Sequence, residues 1–404
     1  MGKQVKWIHV SDWHVKASED SASEEVLGEL IKDIKTITES DINTPGPFKS
    51  DFLLHTGDLA FSGQNTEYTR ALSILEKLTK AAGIQPEKVF IVPGNHDVDD
   101  TCAISVECPG KADNFDAQSY QKFCQENLLR TIGIESLLKR FADFTSALEK
   151  FIHPDNRPNK NRPFFGCRII TSENVTVDII GLTSALLSRE NDAKELRKLF
   201  LGRKQVEQAV ADLSEDRTPA LRIALVHHHF EALYPYDSQQ CWDVLLKNSI
   251  DIVHHGHLHQ AAGTVYGNPD GSLVVLGAGS SYEKFWTING YNLYSYDTEE
   301  NKLTVWFRKW IPDLHCFKPN NEVYRECREN GSIELILKTK KTAGFPTRKR
   351  PNSKKLPNSP RTPSISTEVK LWAQYKKFGV FSGNIDLDSH ERIGEHISYE
   401  LMQR

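Results

Sequence analysis

The chain has 404 residues, 39% of them hydrophobic and 26% charged, the balance of a globular protein with room for a sizeable core. Its net charge of −4 excludes a polyanion binder by overall charge, and no run of about 18 apolar residues is present to span a membrane. Seven cysteines without a Cys-x-x-Cys pair argue against a disulfide framework and a cysteine-based zinc site, so a reducing, cytoplasmic setting is expected.

From the N-terminus, Met1 to Lys6 carries no apolar secretory segment, and Lys6 stands where a Gly2 myristoylation signal needs Ser or Thr. The first apolar run, Val5 to Val10, reads as a buried strand and ends abruptly in Ser11-Asp12-Trp13-His14. Val26, Leu27, Leu30, Ile31, Ile34 and Ile37 recur at three- and four-residue spacing and predict a helix over Glu24 to Ser40. A second short run, Asp51 to His55, ends in Thr56-Gly57-Asp58. A helix is expected over Glu67 to Ala82, with Gly83 as its C-cap. The third run, Val89 to Val92, ends in Pro93-Gly94-Asn95-His96-Asp97.

Residues 100 to 165 break this rhythm. Tyr120 to Phe151 has a mostly helical pattern and Pro154 to Pro163 reads as a loop, so the segment is expected to be a helical insertion near the site. Phe164 to Ile170 and Val175 to Gly181 resume as strands and suit a hairpin. Arg222 to Val226 leads into His227-His228-His229, and Ile250 to Val253 into His254-His255-Gly256-His257-Leu258-His259. Leu273 to Leu276, Gly290 to Asp297 and Lys302 to Trp310 are expected to be antiparallel strands. Strands alternating with helices predict an α/β layered fold.

The C-terminal part changes character. No acidic residue occurs from Leu335 to Thr367, while nine basic ones lie between Lys338 and Arg361. With so few large apolar side chains, residues 336–367 are expected to be a basic disordered linker. Residues 368–404 regain Trp372, Tyr375, Phe378 and Phe381 and are expected to form a small helical appendage. The resulting division is a catalytic domain over 1–335, the linker and the appendage.

Five apolar runs thus end in clusters of Asp, Asn and His. Ligands just after strands sit on loops at the carboxyl ends, where open α/β sheets place their sites. Two divalent cations about 3.5–4 Å apart need ligands from several loops and one shared oxygen, which a carboxylate supplies best. Imidazole nitrogens suit Zn, Fe and Mn. In Asp12-x-His14 and His257-x-His259, side chains two apart on extended backbone would point the same way. Gly57 and Gly94 beside Asp58 and Asn95 allow tight turns and close approach to an ion. Each motif alone is weak. Together they hold, or stand beside, eight of the fifteen histidines, which satisfied core residues would not explain.

In this order the motifs resemble the calcineurin-like metallophosphoesterase superfamily: D-x-H, G-D, G-N-H-[DE], H and G-H-x-H, over roughly residues 5 to 310. The resemblance implies a four-layer α/β/β/α sandwich and two divalent metal ions (Mn, Fe or Zn). It gives Asp12, His14 and His259 to the first ion, Asn95, His227 and His257 to the second, and Asp58 to both. His227, His228 and His229 all stand where the fourth motif's ligand belongs; the family's usual position, first after the strand, selects His227. His96 resembles the histidine beside the scissile phosphate, with Asp97 expected to orient it through a hydrogen bond. His9 and His55 are left as core residues. The implied chemistry is in-line attack of a metal-bridged hydroxide on phosphorus, with His96 protonating the leaving oxygen.

Departures narrow the branch. Gly57-Asp58-Leu59-Ala60-Phe61-Ser62-Gly63 lacks the Arg of protein Ser/Thr phosphatases, and Phe61 stands where purple acid phosphatases place a Tyr ligand. The run, with Glu67-Tyr68 and Val92 to Asp97, is most similar to the class III cyclic-nucleotide phosphodiesterases, although His229-Phe230 replaces their Pro-Pro. The substrate expected is therefore a cyclic nucleotide or another small phosphodiester. The alternatives are a nuclease whose segment 338–361 grips nucleic acid, and a non-catalytic scaffold on the same fold that docks a partner through Trp372 to Phe381.

Overall fold

Alternation along the strands decides the layering. In β1 (Gln4–Val10), Val5 and Trp7 pack into one apolar cluster while Ile8 and Val10 pack into another. In β2 (Phe52–His55), Phe52 and Leu54 join the first and Leu53 the second. Such a period of two means that the sheet is buried on both faces. The structure, a computed structural model, describes residues 2–18, 20–40, 47–99, 102, 117–124, 131–188, 197–213, 218–259, 261–268, 271–282 and 289–337. The expected linker from residue 338 onward and the whole appendage lie outside these residues, as does much of 100–130.

The first sheet is parallel at its centre. β1 pairs with β2, and β2 with β3 (Val89–Ile91). Beyond β1 it turns antiparallel through β10 (Gly290–Asp297), β11 (Lys302–Ile311) and β12 (Cys316–Pro319), and β13 (Ser332–Ile336) also pairs with β11. Ile336 sits opposite Lys302, so the sheet runs one residue beyond the expected boundary at 335, and the compact unit ends at Leu337. The second sheet contains β4 (Phe164–Ile170), β5 (Thr176–Leu182), β6 (Leu221–Leu225), β7 (Ile252–His255), β8 (Ala262–Asn268) and β9 (Gly271–Gly277). Their order is β4-β5-β6-β7-β9-β8. The hairpin β4–β5 forms as expected. β9 is antiparallel to β8 as expected but lies parallel to β7, with Val253 opposite Val275.

Between the sheets, Trp7, Phe52 and Phe90 meet Phe165, Ile179, Ile223 and Leu225 in one core, each side chain contributing roughly 1.5–3 kcal/mol through burial. Outside the first sheet lie α1 (Ser21–Glu39) and α2 (Asn65–Ala82). Asp20 caps α1 by accepting from the Ser23 N–H, and Gly83 ends α2 in the left-handed region at φ 69°. The insertion contributes α3 (Ala117–Phe123), α4 (Thr131–Lys139) and α5 (Ala142–Leu148), whose Leu137, Phe144 and Leu148 join this layer. Outside the second sheet lie α6 (Arg203–Ala211) and α7 (Pro235–Lys247), both unforeseen. α6 has too few large apolar residues to show a face. The architecture is the expected α/β/β/α sandwich.

Candidate metal centre

All five motif loops leave the carboxyl ends of parallel strands, and hydrogen bonds hold them to one another. The N–H groups of Trp13 and His14 donate to the Asp58 carbonyl at 2.8 and 3.0 Å, locking the β1 loop to the β2 loop. The His257 N–H donates to both oxygens of Asp12 at 3.2 Å, joining the two sheets. Gly57 and Gly94 make the close approach possible. A Cβ on Gly57, at φ +106°, would lie 2.7 Å from the Gly94 nitrogen, and one on Gly94 would lie 2.1 Å from Asp58 Oδ1.

The side chains converge by a route other than extended alternation. Ten described residues other than glycine have positive φ, and five are Asp12, His14, Asp58, His257 and His259. The left-handed region is strained for any residue with a Cβ, least so for Asp, Asn and His. Strain gathered on the expected ligands means that the surrounding bonds override local preference to aim these groups.

Seven expected ligands meet in one place. The donor atoms of Asp12, His14 and His259 lie within 4.8 Å of one another, and so do those of Asp12, Asp58 and His227. His14 Nε2 is 3.4 Å from His259 Nε2, and His259 Nε2 is 3.3 Å from Asp12 Oδ1. His227 Nε2 is 3.0 Å from Asn95 Oδ1 and 3.2 Å from Asp58 Oδ2. Asp58 Oδ2 also lies 3.9 Å from His14 Nε2, so it faces a nitrogen of each group, as a shared oxygen must. His257 joins His227 and His228 in the second group.

Electrostatics agree with a cation pair. Asp12 and Asp58 are buried, and their ion-pair partners among the described residues are histidines. Burial would raise both carboxyls, yet the neighbouring imidazoles (His259 beside Asp12, His227 beside Asp58) hold them well below the usual carboxylate range. Burial lowers His227, but the Asp58 charge and hydrogen bond outweigh it and raise it to about 9. That proton marks a negative potential that a bound cation would satisfy instead. His227 Nδ1 donates to the Thr56 carbonyl at 2.7 Å, which leaves Nε2 as the ligand nitrogen. Two carboxylates, one amide oxygen and four imidazoles fit a pair of first-row divalent cations.

The triplet is sorted by its surroundings. His229 turns away, capping Phe230–Ala232 by accepting from the Glu231 N–H, while His228 stays against His227 and His257. His9 and His55 are fully buried core residues as expected, and burial first of all lowers both.

Asp97 departs from its expected role. His96 Nδ1 donates to the Phe61 carbonyl at 2.7 Å, and it is this carbonyl that fixes the ring. The fully buried Asp97 carboxylate accepts instead from the Leu59, Ala60 and Gly94 N–H groups and from the Tyr68 hydroxyl. Four donors from three segments saturate it, so Asp97 positions the loops and not the imidazole. Thr56 and Phe61 act through backbone carbonyls, so no side-chain pattern marks them for these roles. Tyr68 is legible as a helix residue and as part of the Glu67-Tyr68 resemblance, but not as a donor to Asp97.

A four-layer sandwich carrying this donor set at its strand ends defines a candidate binuclear metal site. The chain matches the model of the calcineurin-like phosphoesterases over residues 5–261 and belongs to that family. Among solved structures it is similar to a single mutant of Vps29 from Entamoeba histolytica, at 11% identity over 78% of this chain and 97% of that one, TM-score 0.33. It is also similar to Vps29 from Chaetomium thermophilum, at 10% identity over 84% and 100%, TM-score 0.34. A conserved uncharacterized protein described as a predicted phosphoesterase, from Streptococcus pneumoniae, matches at 11% identity over 79% and 98%, TM-score 0.28. No described helix is long and apolar enough to cross a membrane.

Proposed function

We propose that the chain is a hydrolase of small phosphodiesters whose leaving group carries an apolar, planar moiety, of which nucleotides are one class. The observation that carries the reading is Asp58 Oδ2 placed between the two nitrogen groups, at 3.2 and 3.9 Å. Asp12, His14, Asp58, Asn95, His227, His257 and His259 would hold a cation pair there, which would supply a water of pKa lowered toward about 7 and offset charge on phosphorus-bound oxygens. The chain's own residues supply the rest. With Nδ1–H committed to the Phe61 carbonyl, the protonated form of His96 carries its transferable proton on Nε2, the atom for a leaving oxygen.

The rim supports the leaving-group class. Phe61 and Leu258 are among the few large apolar side chains exposed in the described residues, at 44% and 48%. Phe61 stands beside His96, ring centroids 5.5 Å apart, and Leu258 lies between His257 and His259. Lys16 places its ammonium 5.0 Å from the Phe61 ring centroid, adding positive charge next to an apolar platform.

Protein loaded with Mn, Fe or Zn should be tested on bis(p-nitrophenyl) phosphate, p-nitrophenyl phosphate, cyclic nucleotides and single-stranded DNA. The expected result is a preference for small diesters over the monoester, with KM for aryl or nucleoside diesters raised severalfold in Phe61→Ala. DNA cleavage lost on deleting 338–361 would favour the nuclease. Absence of all hydrolysis, with Asp58→Asn leaving cellular function intact, would leave the scaffold.

A further inference from the structure

His228 has a place that the ligand set does not use. It is fully buried, its ring centroid is 4.5 Å from that of His257 and 4.7 Å from that of His227, and its donor atom lies within 4.8 Å of theirs. By position it could be a further ligand. Its hydrogen bonds point elsewhere.

Ser184, fully buried just past the end of β5, touches His228 twice. Ser184 Oγ accepts from the His228 backbone N–H at 3.0 Å and lies 2.9 Å from His228 Nδ1. Among the described residues these are its hydrogen-bond partners. A hydroxyl has one hydrogen to give. With the backbone N–H already an incoming donor, that hydrogen finds an acceptor only if Nδ1 carries the lone pair. The neutral imidazole then holds its own proton on Nε2. The opposite tautomer would leave the Ser184 hydrogen buried without an acceptor, which buried polar groups avoid. His227 shows the contrast: its Nδ1 faces a carbonyl, which cannot donate, so in the neutral form that would ligate a cation the lone pair is on Nε2. Two adjacent histidines are thus fixed in opposite tautomers.

His228 Nε2 is buried and has no hydrogen-bond partner among the described residues. A nitrogen bearing hydrogen does not ligate a cation, but it is a fixed donor for an anion beside one. We infer that His228 is not a metal ligand but a further catalytic residue, a neutral N–H donor to a non-bridging phosphoryl oxygen on the His227–His257 side, with Ser184 as the positioning residue that sets its tautomer. The inference rests on the phosphoesterase reading. A preorganised donor aimed where oxygen charge grows accounts for about 10²–10³-fold in turnover in comparable sites.

The test uses the full chain loaded with Mn and the variants His228→Ala, His228→Gln and Ser184→Ala. Metal content and Mn affinity, affinity for inorganic phosphate, and hydrolysis of bis(p-nitrophenyl) phosphate are measured for each. His228→Ala should keep both equivalents of metal, bind phosphate about tenfold more weakly and lose about 100-fold in kcat. His228→Gln, which retains an N–H donor, should recover part of both, and this arm separates lost donation from lost packing. Ser184→Ala should weaken phosphate binding severalfold with metal content retained. Loss of a metal equivalent in His228→Ala would make His228 a ligand and overturn the inference. Unchanged phosphate affinity in both His228→Ala and Ser184→Ala would overturn it as well. If wild type hydrolyses no diester, the phosphoesterase reading fails on its own, while the phosphate and metal measurements still decide the role of His228.

Discussion

Asp97 and Asp237 are both fully buried, and each accepts from backbone N–H groups and a tyrosine hydroxyl. Asp97 takes the N–H groups of Leu59, Ala60 and Gly94 and the Tyr68 hydroxyl. Asp237, in the first turn of α7, takes those of Leu201 and Gly202 and the Tyr120 hydroxyl. Burial is the main reason that both carboxyls are pushed up to about 6. The difference is the neighbour. The Asp58 charge adds to the rise at Asp97, whereas the hydrogen bonds around Asp237 only oppose it. One clamp therefore reports on the metal centre; the other fastens the α3 and α6–α7 region and should be indifferent to metal.

The sharpest break comes at Asp58. Asp58→Asn removes the charge shared by the two nitrogen groups and should lower diester hydrolysis by at least about 10³-fold, roughly 4 kcal/mol, with loss of bound metal. The folded protein should survive, as a melting curve of the metal-free variant would show. Next in size is the pH response of Asp237. A carboxyl with a folded pKa of about 6 and an ordinary value of 3.8 binds its proton more tightly in the native state. Its contribution to stability is thus fully present below about pH 4, declines as pH rises through 6, and is flat beyond. At 1.36 kcal/mol per unit the decline amounts to about 3 kcal/mol. Denaturant titrations from pH 4 to 7 should show this decline in wild type, and Asp237→Asn should remove its share of about 3 kcal/mol while the part due to Asp97 remains.

The contrast also shows what a sequence discloses. Asp97 was conspicuous because it closes Gly94-Asn95-His96-Asp97, yet its position beside His96 suggested a contact that the backbone geometry denies. Asp237 gave no signal, since an acidic residue in a first helical turn is ordinary. The strand-to-ligand rhythm carried most of the site, because each ligand lies within four residues of a strand end. The left-handed backbone at His14 and His259 was not legible, as it comes from contacts such as the His14 N–H to the Asp58 carbonyl, which join distant segments. Ser184 lay hidden for the same reason: nothing local links it to a histidine 44 residues away. The two-sheet layering is readable from apolar runs, while β8 and the parallel pairing of β9 with β7 are not, because pairing partners depend on chain path.

Paired substitutions then separate the clamps. Asp97→Asn loosens the loops that carry Asp58 and Asn95 and should weaken metal binding about 10–100-fold, the range for groups that orient ligands. Asp237→Asn should leave metal affinity within about twofold. Equal losses in isothermal titration would show that both act only through global stability.

Tyr68→Phe and Tyr120→Phe form the smallest and cleanest comparison. Each removes a hydroxyl that donates to its aspartate, at 3.1 and 2.9 Å, and each should lower stability by about 1–2 kcal/mol. Because the Tyr120 hydroxyl helps hold Asp237 down, its removal should also move the Asp237 window to higher pH. Tyr68→Phe should add a severalfold loss of metal affinity that Tyr120→Phe lacks, since the Asp97 clamp grips the backbone next to Asp58. If both variants lose stability alike and neither changes metal binding, Asp97 holds the loops no more specifically than Asp237 holds its helices. The link from that clamp to the metal centre would then be mere proximity.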